Sequence, residues 1–140
     1  MTQREDEIRA SNDEFYRAFR ERDVDAMDAL WARRAPVACM HPGMDVIVGR
    51  PEVMKSWRGI LGHESAPRLQ CARVRVHMLG ESAYVTCLEG TAGDRPALIA
   101  TNVFIREDGL WRMVHHQAAP LSVRVPHEPL GKAPGPRTLN

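Results

Sequence analysis

The 140-residue sequence lacks most of the features that commit a chain to a common functional class. It has only three cysteines, Cys39, Cys71 and Cys87, with no Cys-x-x-Cys pair. Neither a disulfide framework nor a structural zinc site is therefore expected, and the thiols read as small reduced side chains of a cytoplasmic protein. It has no excess of either charge: nineteen Lys and Arg against eighteen Asp and Glu leave +1. Without a net field to draw it to polyanions, it is expected to bind neither nucleic acid nor a membrane. It has no long apolar run, and Arg4, Glu5, Asp6 and Glu7 near the start are unlike a secretory signal. It also lacks a Gly-x-Ser-x-Gly elbow, a phosphate-cradling glycine loop and a dinucleotide fingerprint, so those enzyme classes fall away.

What is present is an ordinary globular composition, 44% hydrophobic and 26% charged, enough for one core in one domain over residues 1–122. Thr2 followed by Glu5 forms a capping box, and Ile8, Phe15, Ala18 and Phe19 recur at helical spacing to about Arg22. Asp23 caps a shorter helix with Val24, Met27, Leu30 and Trp31 on one face, ended by Pro36. Pro51 and Glu52 open a third helix with a Met54, Trp57 and Leu61 stripe and Gly62 as its stop. Between these helices, the runs Val37–Met40 and Val46–Val48 flank Pro42-Gly43, which suits the centre of a type II turn.

After Pro67 the period changes to two. Gln70, Ala72, Val74, Val76 and Met78 are expected on the core face of a strand, with Cys71, Arg73, Arg75 and His77 on the other. Three further strands follow, 83–89, 97–106 and 110–118, joined by turns at Gly80 and Gly93 and at Glu107-Asp108-Gly109. Both faces of the last two are largely apolar, which predicts cover on both sides: helices on one and a second subunit of a homodimer on the other. Residues 123–140 are expected to form an extended Pro/Gly-rich tail.

Three helices followed by a bent antiparallel sheet is an α+β arrangement. Its motifs resemble the nuclear-transport-factor-2-like (NTF2-like) superfamily, and within it the SnoaL-like and ketosteroid-isomerase-like group. The resemblance is carried by Asp23-Val24-Asp25-Ala26, His41-Pro42-Gly43, Ser56-Trp57, Thr101-Asn102-Val103-Phe104 and Trp111-Arg112-Met113-Val114-His115-His116-Gln117-Ala118, over residues 8 to 122. It implies a cone-shaped, cystatin-like fold with a pocket at one end. The family hosts both enzymes and non-catalytic assembly domains, so the fold does not select a reaction.

The same resemblance implies three catalytic candidates. His41 stands where isomerase-like members carry a catalytic carboxylate; it can act as a general base or simply fix the Pro-Gly bend. Asn102 stands where they place an acidic hydrogen-bond donor to an oxyanion, and an amide can donate that bond. Their helix-one tyrosine matches Phe15 here, with Tyr16 on another face. His115 and His116 are adjacent on one strand and must face opposite sides; the relatives favour Val114, His116 and Ala118 inward. Glu89 ends a row with Val85 and Cys87, either as a solvated strand end or close enough to a histidine to raise its pKa. Trp57 and Phe104 read as pocket wall or as plain core. His41, His116 and Glu89 could ligate a metal, but no local spacing supports one, and neither metal nor cofactor is expected. Two functions follow: a small-molecule protein, as a proton-transfer enzyme on an oxygenated apolar metabolite, or a dimerisation and assembly domain. The second rests on Val114 to Pro120, which resembles the end of the association domain of calcium/calmodulin-dependent kinases.

Overall fold

The computed structural model describes residues 2–122; the expected tail at 123–140 lies outside them. Helix α1, Gln3–Glu21, begins with the reciprocal Thr2–Glu5 capping box. Helix α2, Val24–Leu30, is capped by the Asp23 carboxylate on the Ala26 N–H. Strands β1 (Ala38–Met40) and β2 (Ile47–Val48) pair antiparallel. At the turn between them the Met44 N–H bonds the His41 carbonyl and Gly43 has φ 76°, as a type II turn requires of its third residue. Helix α3, Arg50–Leu61, stops at Gly62. Its first residue also joins the helices: the Arg50 guanidinium bonds the Trp31 and Ala32 carbonyls and the Asp28 carboxylate at the end of α2.

The rest of the chain is β3 (Leu69–Leu79), β4 (Ser82–Thr91), β5 (Leu98–Glu107) and β6 (Leu110–Pro120). All six strands form one sheet in the order β2-β1-β6-β5-β4-β3, antiparallel except where β1 runs parallel to β6. The helices lie in its concave face, so the architecture is the expected α+β cone. Its core joins Ile8, Phe15 and Phe19 of α1, Trp31 and Trp57 to Val85, Phe104 and Met113 of the sheet. The outward side chains Ile99, Thr101, Val103 and Ile105 of β5 remain half-buried or exposed in the single chain.

Two bulges bend the sheet, and each overturns an expected face. In β3 the register shifts between Ala72 and Arg75, with Arg73 at φ 53°. Cys71 pairs with Glu89, whereas beyond the shift Val76 pairs with Val85 and Met78 with Ala83. Directly paired side chains share a face, so Cys71 and Leu69, not Ala72 and Gln70, continue the inner row of Val76 and Met78. The second shift, between Val103 and Phe104, leaves Val114 out of the pairing with β5. Met113, fully buried opposite Phe104, takes the inward place expected of Val114, which is only half-buried.

The β5–β6 turn holds the chain entering β1 through one carboxylate. Glu107 accepts the backbone N–H groups of Arg33, Arg34 and Ala35 at 2.7, 3.0 and 3.2 Å. These bonds, the Arg33 and Arg34 amides foremost, hold its pKa at about 2. A carboxyl lowered on folding contributes stability above its unfolded pKa of about 4.3, and that contribution disappears as pH falls through the folded value. E107Q is accordingly expected to melt below the wild type at pH 7, with the gap narrowing under about pH 4 and closing near pH 2. Melting curves at those pH values test this, and a gap independent of pH would refute it.

Candidate functional site

Between the helices and the sheet lies a cavity of about 340 Å³, lined by apolar side chains including Phe19, Ile60, Leu69 and Leu98 and by four polar ones: His41, Ser56, Glu89 and His116. Each polar group arrives from a different element. His41 follows β1 at the start of the type II turn, Ser56 lies on α3, Glu89 is near the end of β4 and His116 is in β6. A second, more polar concavity of about 350 Å³ between α1 and β3 is lined by Asp13, Tyr16, Arg20, Gln70 and Cys71. It reaches Tyr16 but neither imidazole.

Behind His116 runs a buried polar chain. The His116 Nδ1–H donates to Asn102 Oδ1 at 2.6 Å, and the Asn102 amide nitrogen donates to Asn12 Oδ1 at 2.8 Å and to the Tyr16 hydroxyl oxygen at 3.3 Å. The Tyr16 O–H in turn donates to Glu89 Oε2 at 2.5 Å. All five residues are at most 2% exposed, so each bond replaces one that water would make, and losing a partner costs about 1–3 kcal/mol. An amide oxygen can only accept, so this contact places the His116 proton on Nδ1 and leaves Nε2 as an acceptor. The other Glu89 oxygen, Oε1, is buried without a hydrogen-bond partner among the described residues.

Burial sets the protonation of the lining. It lifts Glu89 to about 7, a shift only partly opposed by the Tyr16 hydrogen bond. It lowers His116 to about 3, helped by the nearby His41 and His115, and lowers His41 from its ordinary value. Both imidazoles are thus neutral at physiological pH. Cys39 is pushed up to about 12 and Cys87 is also raised, so both remain thiols at neutral pH.

The expected site residues separate into two groups. His41, His116 and Glu89 meet on the cavity, and Asn102 stands directly behind His116. Asn102 does not present a free donor: both amide hydrogens are taken by Asn12 and Tyr16, so it orients His116 instead. Glu89 is no solvated strand end, and it does not raise the pKa of His116, which burial lowers. Trp57, Phe15 and Phe104 are fully buried and stand behind the cavity wall. Trp57 packs its indole edge-on to His41 at 5.0 Å and tilted on His116 at 5.9 Å, while Phe15 lies 4.9 Å from His116. Val114 is displaced by the β6 bulge. Among the described residues no group of three or more His, Cys, Asp or Glu is placed to hold a metal ion.

Three participants were missed from sequence: Asn12, Tyr16 and Ser56. The signal for the first two was present, since Asn12 falls four residues after Ile8 and Tyr16 four after Asn12, putting both on the helical stripe. Phe15, matched to the relatives' tyrosine, and its neighbour Tyr16 are both buried, and it is Tyr16 that reaches Glu89. Ser56, with its Oγ 2.6 Å from His41 Nε2, stands in the sequence only as part of the Ser56-Trp57 motif, which assigns it no role.

A model of the SnoaL-like domain matches residues 8–122. The chain is 33% identical over 108 residues to the F-box protein SKIP8 of Arabidopsis thaliana, a match covering 77% of this chain and 47% of that protein, so the chain spans about half the length of this relative. Among solved structures it resembles a proposed dehydratase of the NTF2-like family from Streptomyces avermitilis, at 29% identity and TM-score 0.76 over 86% of this chain and 97% of the other. It also resembles a proposed calcium/calmodulin-dependent protein kinase type II association domain from Thiobacillus denitrificans, at 40% identity and TM-score 0.72 over 81% and 94%.

Because the Tyr16 hydrogen bond is what restrains Glu89, its removal has a defined sign. In Y16F, Glu89 is expected to titrate above its wild-type value of about 7, followed through the carboxyl carbon by NMR. A lower or unchanged midpoint would show that the bond does not act on the carboxylate.

Proposed function

The chain belongs to the SnoaL-like domain family, and from that premise we propose that its cavity binds a small, largely apolar, oxygenated molecule and moves a proton on it. The observation that carries the reading is Glu89 Oε1, buried and without a partner among the described residues, in a side chain that lines a mainly apolar cavity with two neutral imidazoles and Ser56. A volume of about 340 Å³ falls within the range of small-ligand sites, which combine apolar walls with few polar groups.

The proton carrier in this reading is Glu89 rather than His41. A general acid or base works best with a pKa near the working pH, and Glu89 lies at about 7 while burial moves both histidines away from neutrality. Its carboxylate can take a proton from a carbon or hydroxyl of the ligand and return it elsewhere on the same molecule. His116 Nε2 accepts from a ligand hydroxyl, and His41 with Ser56 supplies a second polar point. The dehydratase description of the Streptomyces structure supports chemistry of this proton-moving kind without choosing the substrate.

In the test, E89Q keeps the side-chain shape and an oxygen for Tyr16 but cannot carry a proton. It is expected to lose at least about a hundredfold in turnover on a panel of ketones, epoxides and hydroxy compounds while keeping its melting temperature. A panel that neither wild type nor variant converts would count against catalysis.

A second reading, assembly, is favoured by the likeness to the Thiobacillus association domain and by Ile99, 46% exposed on the convex side of the sheet. It expects a homodimer or larger ring by light scattering, dissociated by I99R. A wild-type monomer at micromolar concentration would overturn it.

A further inference from the structure

The cavity wall brings together two side chains whose joint chemistry is left unused by proton transfer at Glu89. Ser56 Oγ lies 2.6 Å from His41 Nε2, and both residues line the cavity. A serine inside a helix commonly turns its hydroxyl back to the carbonyl one turn earlier. Here the hydroxyl of Ser56, in the middle of α3, meets an imidazole that follows β1. No Gly-x-Ser-x-Gly elbow announces this serine in the sequence; tertiary contact assembles the pair.

His41 is 9% exposed, and its ring stands edge-on to the Trp57 indole at 5.0 Å, which limits its rotation. Burial keeps it neutral at pH 7, the form in which a ring nitrogen accepts a proton. The same Nε2 also faces Cys39 Sγ at 3.8 Å. Cys39, however, is fully buried, its thiol is pushed up to about 12, and it stands off the cavity wall. Ser56 is half-buried on that wall, which also carries Pro42 and Met44, both exposed to solvent. Of the two nucleophile types at His41, it is the hydroxyl that a ligand can reach.

We propose that Ser56 and His41 form a nucleophilic pair that cleaves carboxylic esters with a small apolar acyl group, by way of an acyl-Ser56 intermediate. A hydroxyl is a weak nucleophile until a base within hydrogen-bond reach takes its proton. In the His41 tautomer protonated at Nδ1, Nε2 takes the Ser56 proton as Oγ bonds to the ester carbonyl carbon. The bond from that carbon to the alcohol oxygen then breaks, and Nε2 gives the proton to the departing oxygen. Water repeats the sequence on the acyl-serine: its oxygen bonds to the carbonyl carbon, one of its protons passes through Nε2 to Ser56 Oγ, and the carboxylic acid leaves. Ester and water become acid and alcohol, with no further reactant. This activity is distinct from proton transfer at Glu89 and shares only the cavity with it.

Diisopropyl fluorophosphate tests the pair without need of turnover, since a nucleophilic Ser56 Oγ displaces its fluoride and keeps the phosphoryl group. The full chain, treated at pH 7, is expected to gain one diisopropylphosphoryl group, placed on Ser56 by peptide mass spectrometry, and to gain none when unfolded in urea. S56A is expected to remain unlabelled, and H41Q to react at least about a hundredfold more slowly, as expected on loss of a positioned base. With p-nitrophenyl butyrate, wild type is expected to release p-nitrophenolate and S56A to stay at background. Absence of an adduct on the native chain, adducts only at other residues, labelling of H41Q at the wild-type rate, or equal ester cleavage by S56A would each overturn the inference. The native-chain result decides even where H41Q does not fold. Failure of the ketone, epoxide and hydroxy panel leaves this result untouched, and the reverse holds as well.

Discussion

The hydrogen-bonding demand of one buried amide, Asn102, holds this molecule's working parts in relation to each other. Its oxygen and nitrogen have no access to water and must be met by protein groups: His116 on the neighbouring strand, and Asn12 and Tyr16 one helical turn apart on α1. Satisfying all three contacts requires β5 and β6 in a single register and α1 at one rotation and height over the sheet. The same contacts select the His116 tautomer and bring the Tyr16 hydroxyl to Glu89. Fold and site are therefore not separable layers here, because the polar bonds that position the helix also fix the His116 tautomer and temper the effect of burial on Glu89.

The distribution of charge follows a related logic. Arginines pair with carboxylates at the surface and across the helix ends, where solvent screens them and each exposed pair contributes little. The interior keeps its polar groups neutral: two imidazoles and the Cys39 thiol forced that way by burial, the Cys87 thiol by its contact with Cys71 and by burial, and a carboxyl near its midpoint at neutral pH. Ionisable groups without counter-ions are costly to bury in their charged form.

Much of this was legible in the sequence, through local rules. The Thr2–Glu5 box, the Asp23 cap, Pro42-Gly43 and the Pro51 start each specify a conformation within four residues, and each is found. The grouping of His41, His116 and Asn102 came from strand alternation and family likeness. What escaped was set by long-range contact. The β3 bulge moved Cys71 inward and Ala72 outward, and the β6 bulge exchanged Met113 for Val114, because an inserted residue reverses every face beyond it. Glu89 was recognised as a candidate, but its proton affinity depends on how completely strands and helix enclose it, which no local pattern records. The role of Tyr16 escaped notice because it and Phe15 are neighbours that are both buried, and only contact with Glu89 and Asn102 tells them apart.

The parallel pairing of β1 with β6 also orders events in time. β1 pairs locally with β2 but joins the four long strands only through β6, and the Ala38 carbonyl is met by His115 Nδ1 from 77 positions later in the chain. During synthesis the helices can form and the β3–β4 hairpin can close, but the turn bearing His41 has no sheet to join until β6 has been made. Contacts of such wide separation form slowly because the long loop must close first. The cavity is thus among the last features to exist on a newly made chain.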